Sequence, residues 1–492
     1  MSLKQQALSG IQWSATTTII KQLLQFTIFV ILARLLLPED FGLIGMILGI
    51  TGFVGLFSEL GFGAALIQRK AIDEAHLSSA FWLNVITGII LTGMVLSLAP
   101  LVARFYSEPR LKLLTMLISI NFFIGSLNIV HRALLNRSMD FRRLAIIETT
   151  AATIAGTAAI ILAFIGFGVW SLVWQMIIST AIGVVMMWQT SRWRPRLCLN
   201  TKAIGELFGF SGNLLGFGVF NYWVRNSDDL LIGKFIGSAA LGVYSRAYSI
   251  MLMPLRQLSA TVGKVMFPAL SKIQDDKARV KEIYLRTICI IALIAFPMML
   301  GLLVVADSFV LALLGYKWSE VIPLLRMFAL LGMVQSIGTT VGWIYNSQGR
   351  TDLQLRWGMR AGGLLILSIV IGVLLGSIKS VALCYVVMSG VILVYPNFAI
   401  PGKLINLTFG EVVRNLSSIF ACASLMSVGV YLLGLTLFSG QPHLGKLLLQ
   451  VSCGILLYIL LIELFKVRAY TELKDLFREQ WSNYCQKAKS YE

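Results

Sequence analysis

Arg225, Asp228 and Asp229 stand at i, i+3 and i+4 inside a run that is otherwise apolar, and Arg246, Arg256 and Lys264 follow in the next such run. At the centre of a membrane helix each ionised side chain costs about 2.5–3.5 kcal/mol on insertion scales, so it is expected to face a cavity or a partner. Two chemistries fit the first three residues. They share one helical face, so they can pair locally and neutralise the segment, or they can face a cavity together as a charge set. Arg246 and Lys264 are five helical turns apart, on one face and separated by about 27 Å, with Arg256 about 80° off that face. The three can line one wide groove at different depths, unless Lys264 extends to the membrane surface instead. In the first half, Lys21 lies about 13 Å into an apolar run by helical rise. Glu59 lies in the run that follows, where it either pairs with Lys21 or faces the same lumen.

The surplus is cationic: Lys21, Arg225, Arg246, Arg256 and Lys264 against Glu59, Asp228 and Asp229. Such a lumen suits an anionic substrate, because Arg forks onto a phosphate with two bonds and Lys offers a point charge. The three carboxylates then read as charge-modulating or coupling groups. A pump for cationic drugs calls for an acidic lumen. No catalytic set and no metal site is expected. The six cysteines are scattered singly and the three histidines lie far apart, which fits neither a disulfide framework nor a zinc site.

The elements that must position these residues are helices in a membrane. The chain is 57% hydrophobic and 13% charged, with a mean hydropathy of +0.81; soluble domains carry about 25% charged residues. Fourteen apolar segments between residues 11 and 465 predict an all-α polytopic protein of about fourteen transmembrane helices. The first run, 11–37, is too long for a cleavable signal. With both termini cytoplasmic, 26 of the 41 Lys and Arg fall in inner segments and 8 in outer turns. This split decides the orientation. It also accounts for much of the net charge of +18, which reports topology rather than nucleic-acid binding. Trp82, Trp188, Trp193 and Trp318 fall near span ends, as interfacial anchors do. Asp307 and Arg326 fall near outer ends, and Glu148 and Glu463 are expected at the membrane surface.

The order of physical roles repeats at an offset of 200. Ile31-Leu-Ala-Arg34-Leu-Leu-Leu-Pro38-Glu-Asp-Phe41-Gly42 returns as Leu231-Ile-Gly-Lys234-Phe-Ile-Gly-Ser238-Ala-Ala-Leu241-Gly242. Each is an apolar helix end, a hairpin cation (Arg34 or Lys234), a turn, and a Gly opening the next run. Asn136 and Asn346, each before a basic loop, make a second echo. The chain is therefore read as two six-helix bundles, 1–195 and 196–401, related by a parallel repeat. Two extra helices (402–466) and a cytoplasmic tail (467–492) follow. No segment outside the membrane exceeds about 25 residues, which leaves no room for the catalytic loop of a membrane polymerase.

Arg225-Asn-Ser-Asp228-Asp229-Leu-Leu-Ile-Gly233-Lys234, then Leu241-Gly242-Val-Tyr244-Ser-Arg246-Ala-Tyr248, Pro254 and Phe267-Pro268-Ala-Leu-Ser271 resemble the signature stretch of Wzx-type polysaccharide exporters. The similarity is greatest to the colanic-acid and lipopolysaccharide branch of the multidrug/oligosaccharidyl-lipid/polysaccharide superfamily. Ala33 to Gly42 is similar to that family's first-hairpin motif. The resemblance covers nearly the whole chain. It implies a flippase of the bacterial inner membrane that moves undecaprenyl-diphosphate-linked oligosaccharide by alternating access. It implies contact with membrane lipid and with a polysaccharide polymerase and assembly proteins. It brings no cofactor and leaves coupling to a proton or sodium gradient open. A drug/cation antiporter of the same superfamily is the alternative. The match is by region, so individual charged positions are assigned from the residues above.

Overall fold

The computed structural model describes residues 20–58, 62–68, 72–200, 205, 222–438 and 440–475. Among them every regular element is helical, as lipid requires of a chain that must satisfy its backbone within each segment. Nine helices are long and apolar enough to cross a membrane, or ten if Arg110–Ser126 and Ile129–Arg137, bent by 45°, form one span. The expected fourteen are not all recovered. The four segments short of the count are the first, second, seventh and eighth. These carry most of the intramembrane charges, and the first and seventh lie partly outside the described residues.

Contacts divide the chain into two compact units, Met1–Gly242 and Val243–Glu492. The first contains α1 (20–35), α2 (Pro38–Gly55), α3 (Phe62–Gln68), α4 (Glu74–Tyr106), α5 (Arg110–Ser126), α6 (Ile129–Arg137), α7 (Phe141–Phe164), α8 (Val169–Thr190) and α9 (222–235). It also holds the first turn of α10 (Ser238–Lys272). The second continues with α11 (Lys277–Leu313), α12 (Val321–Gly338), α13 (Val341–Ser347), α14 (Thr351–Leu374) and α15 (Ile378–Val387). A π-turn (Met388–Ile392), α16 (Val394–Gly402), α17 (Phe409–Thr436) and α18 (His443–Leu464) follow.

The doubled passage folds in register. Helix ends fall at 35 and 235, and new helices begin at Pro38 and Ser238. The two copies then meet. A Cβ on Gly42 would overlap the backbone oxygen of Ser238, and one on Gly242 would overlap that of Pro38. The same two Cβ positions lie 3.0 and 3.1 Å from the amide nitrogens of Gly242 and Gly42. Only glycine at both positions lets the two backbones cross this closely. The reciprocity, each glycine against the carbonyl four residues before the other, is a local two-fold relation between the repeats.

Other features recur in order. Asp73 caps α4 by accepting from the His76 amide, and Asp276 caps α11 by accepting from that of Arg279. Both helices contain a proline, Pro100 and Pro297. The next pair, α5–α6 and α12–α13, is interrupted in each copy, at 127–128 and 339–340. Where the break frees the Leu127 carbonyl, the Trp188 indole donates to it at 3.0 Å. Pro297 likewise has no N–H for the carbonyl four residues before it, and the Tyr458 hydroxyl on α18 donates to that Leu293 oxygen at 3.0 Å. α18 thus repairs the backbone of α11, on which both added helices pack as one core.

The segment after α8 is not a loose linker. The Trp82 indole donates to the Arg196 carbonyl at 2.8 Å, the Arg196 amide to Ser78 at 3.0 Å and the Asn200 amide to Ser79 at 2.8 Å. Trp193 donates to Glu74 at 3.0 Å, and His131 stacks on Trp188 at 4.8 Å. Residues 191–200 are therefore strapped across the start of α4.

Gly242→Ala is expected to lower thermal stability in detergent by more than about 2 kcal/mol, because backbone must move. Gly93→Ala, whose Cβ meets nothing within 4 Å, should be neutral or slightly stabilising. Tyr458→Phe should cost about 1–2 kcal/mol by leaving the Leu293 carbonyl unsatisfied. Unfolding scans of the three variants check all three.

Candidate functional site

The first unit holds a cavity of about 800 Å³, bordered by Lys21, Gln25, Asn121, Arg132, Asn136 and Glu148 among others. That volume falls within the range of clefts that bury small ligands. Each helix contributes for a local reason. Lys21 is at the start of the described part of α1, followed by Gln22, Gln25 and Thr27 and then an apolar run to Ala33. Glu148 is in the second turn of α7, just past the Asp140 cap. Arg132 is on α6, Asn121 is within α5, and Asn128 is in the interruption between the two; all three border the cavity.

The charges form one cluster. Lys21 Nζ is 2.5 Å from Glu148 Oε2, and Arg132 Nη2 is 2.8 Å from Glu148 Oε1. One carboxylate thus serves two cations, one oxygen each, and leaves a net charge of +1. The Lys21 and Glu148 side chains are 31% and 30% exposed, so the pair is reachable from the cavity yet largely shielded. Neither the Asn121 carbonyl oxygen nor its amide nitrogen has a partner among the described residues. In a site of low dielectric such a group demands one.

Lys21 therefore has a carboxylate partner, but it is Glu148. Glu59 lies outside the described residues. Glu148 lines the cavity wall, and Glu463 pairs with Lys474 at 2.5 Å. Asp307 and Arg326, two separate expectations, pair with each other in the second unit. Sequence reasoning missed Arg132 and Asn121 as site residues. Arg132 falls four residues before Asn136 on the same helix, a spacing that places the two on one face.

The α9 charge set is positioned by aromatic packing on α2. The Tyr222 hydroxyl lies 3.0 Å from both the Leu48 and Gly49 carbonyls, and Trp223 packs on Phe53 at 5.0 Å between ring centroids. Arg225 is exposed and makes no ion pair with Asp228 or Asp229 among the described residues. Asp228 is 8% exposed and Asp229 is half-buried. The local salt bridge that the spacing permits does not form. Of the hairpin cations, Lys234 donates to the Phe105 carbonyl and lies 5.1 Å from that residue's ring centroid, while Arg34 is exposed. In the second unit α10 runs through Pro254 and carries a half-buried Arg246 and an exposed Arg256. Lys264 is on the same helix, with its side chain outside the described residues.

With nine helices among the described residues long and apolar enough to cross a membrane, this is a multi-pass membrane protein. Residues 31–323 match the family described as polysaccharide biosynthesis protein, and the chain belongs to that family. It is 29% identical over 486 residues to the teichuronic acid biosynthesis protein TuaB of Bacillus subtilis strain 168, covering 96% of this chain and 98% of that one. It is 27% identical over 479 residues to the lipopolysaccharide biosynthesis protein WzxC of Escherichia coli K12, covering 97% of each. The resemblance to Wzx-type exporters therefore holds. The fold matches that of the lipid II flippase MurJ in an inward closed conformation, with a TM-score of 0.72 and 16% identity over 94% of this chain and 99% of that one.

A double-mutant cycle of Lys21→Met and Glu148→Gln, read by thermal unfolding, is expected to give a coupling of about 0.5–1.5 kcal/mol. Strict additivity would mean that the contact contributes nothing to stability.

Proposed function

We propose that this protein is a flippase that moves oligosaccharide repeat units linked to undecaprenyl diphosphate across the bacterial inner membrane, supplying polymer or lipopolysaccharide assembly outside. The observation that carries the reading is the amide-lined cavity with two cations on one carboxylate, set in an otherwise apolar bundle. Its chemistry suits a ligand with an anionic phosphate and many hydroxyls. The names of the relatives, from teichuronic acid to lipopolysaccharide biosynthesis, support the same substrate class.

The protein acts as a transporter and not as an enzyme, with both termini in the cytoplasm. The diphosphate enters from the cytoplasmic side while the lipid tail stays in the bilayer. Exposed cations such as Arg225 replace its hydration, and alternating access carries it across. An inside-negative potential favours outward movement of an anion by about 2.3 kcal/mol per charge per 100 mV. A proton or sodium gradient is a further source of drive. The acceptor side is a polymerase and its assembly proteins.

In cells lacking the endogenous protein, the wild-type chain should restore surface polymer, while Arg225→Ala and Arg256→Ala should reduce it at least about tenfold, the loss expected for a charged contact to phosphate. Protein levels should be normal, and lipid-linked oligosaccharide should accumulate. Full export by both variants would remove these two residues from the mechanism.

A further inference from the structure

The cluster at Glu148 has a feature that binding alone does not require. A site built only to hold phosphate would leave Lys21 and Arg132 open to it. Here a carboxylate already occupies both, with Oε2 on Lys21 at 2.5 Å and Oε1 on Arg132 at 2.8 Å. The three side chains come from three different helices, α1, α6 and α7. Two oxygens on one central atom, each taking one cation, is also the way a phosphate presents itself.

We propose that Glu148 is an internal counter-anion, which stands in for a substrate phosphate between Lys21 and Arg132 and is displaced when a diphosphate-linked sugar binds. This rests on reading the chain as a transporter of such a lipid. With the site empty, Lys21, 31% exposed on an apolar helix bundle, would be costly without an anion, and Glu148 removes that cost while also engaging the more exposed Arg132. With substrate present, a phosphate carries more charge than a carboxylate and takes both cations, while amides such as Gln25, Asn121 and Asn136 meet sugar hydroxyls. Asn121 is already without a partner among the described residues. The displaced carboxylate stays beside the cations and competes for them, which holds affinity down and lets the anion leave. A transporter needs that more than it needs tight binding.

The test uses the full chain in nanodiscs, titrated with undecaprenyl diphosphate, with inorganic pyrophosphate and with uncharged undecaprenol. Glu148→Gln keeps the volume and removes the competitor. It is expected to tighten diphosphate binding about tenfold and to slow release by a similar factor, as for loss of one close charge competitor. Lys21→Gln should weaken binding about tenfold by the same reasoning. A gain for the lipid alone would mean that the headgroup enters from the bilayer, and a gain for both ligands that water also gives access. Either supports the proposal. Unchanged or weaker diphosphate binding in Glu148→Gln overturns it, as does an equal gain for undecaprenol. If Glu148→Gln does not fold, Glu148→Asp, whose shorter arm cannot hold both cations, should shift binding in the same direction by less. The two readings fail separately. Tightening without oligosaccharide transport by the wild type would sink the flippase assignment and keep the counter-anion. Transport by the wild type with no tightening would do the reverse.

Discussion

A cation inside an apolar helical bundle must have an anion. This constraint organises the first unit. Lys21 on α1 cannot sit among helices of this hydropathy without a partner, and Glu148 on α7 supplies one while also taking Arg132 from α6. The tie fixes three helices at one depth and keeps a polar cavity of about 800 Å³ open between them. The other helices can then be almost wholly apolar. In the second unit the ion pairs lie nearer helix ends: Asp307 with Arg326, each about half exposed, and Lys281 with Glu411 at 2.6 Å in the first turns of α11 and α17. Arg225, on α9, is instead exposed.

The glycine crossing solves a different problem. Two backbone segments that cross this closely leave no room for side chains. Gly42 and Gly242 bring backbone onto backbone, each against the carbonyl four residues before the other. The doubled passage is therefore visible in local contacts as well as in its order of residues. It does not extend to charge. The first copy has its cluster on α1, α6 and α7, and the second has its cations on α9 and α10. Symmetric scaffold and asymmetric charge are what a transporter of one asymmetric lipid needs.

Much of this was readable in the residues. Ten of the apolar segments reappear as spans or as the bent pair. The hairpin repeat was legible although only one letter matches, because the order of cation, turn and glycine carries the geometry. Three things were not legible. Lys21 and Glu148 are 127 residues apart, and no spacing rule links positions on separate helices. The break between α5 and α6 lies in a continuous apolar run, and the Trp188 indole that satisfies it comes from another helix. Residues 191–200 are polar and basic in composition, and nothing in that composition shows that their backbone groups are taken up by Ser78, Ser79 and Trp82. Helical spacing also allowed Arg225 to pair with Asp228 and Asp229, but burial of Asp228 and exposure of Arg225 set them apart.

The central claim is transport of a lipid-linked oligosaccharide, and reconstitution measures it most directly. Purified protein in liposomes carrying a fluorescent undecaprenyl-diphosphate oligosaccharide would be challenged with a membrane-impermeant quencher. The account predicts that the protein exposes the inner-leaflet pool over time, faster with an imposed potential that favours anion movement toward the quencher side, and that ethidium is not moved under the same conditions. An inner pool that stays protected, with ethidium carried instead, would contradict it.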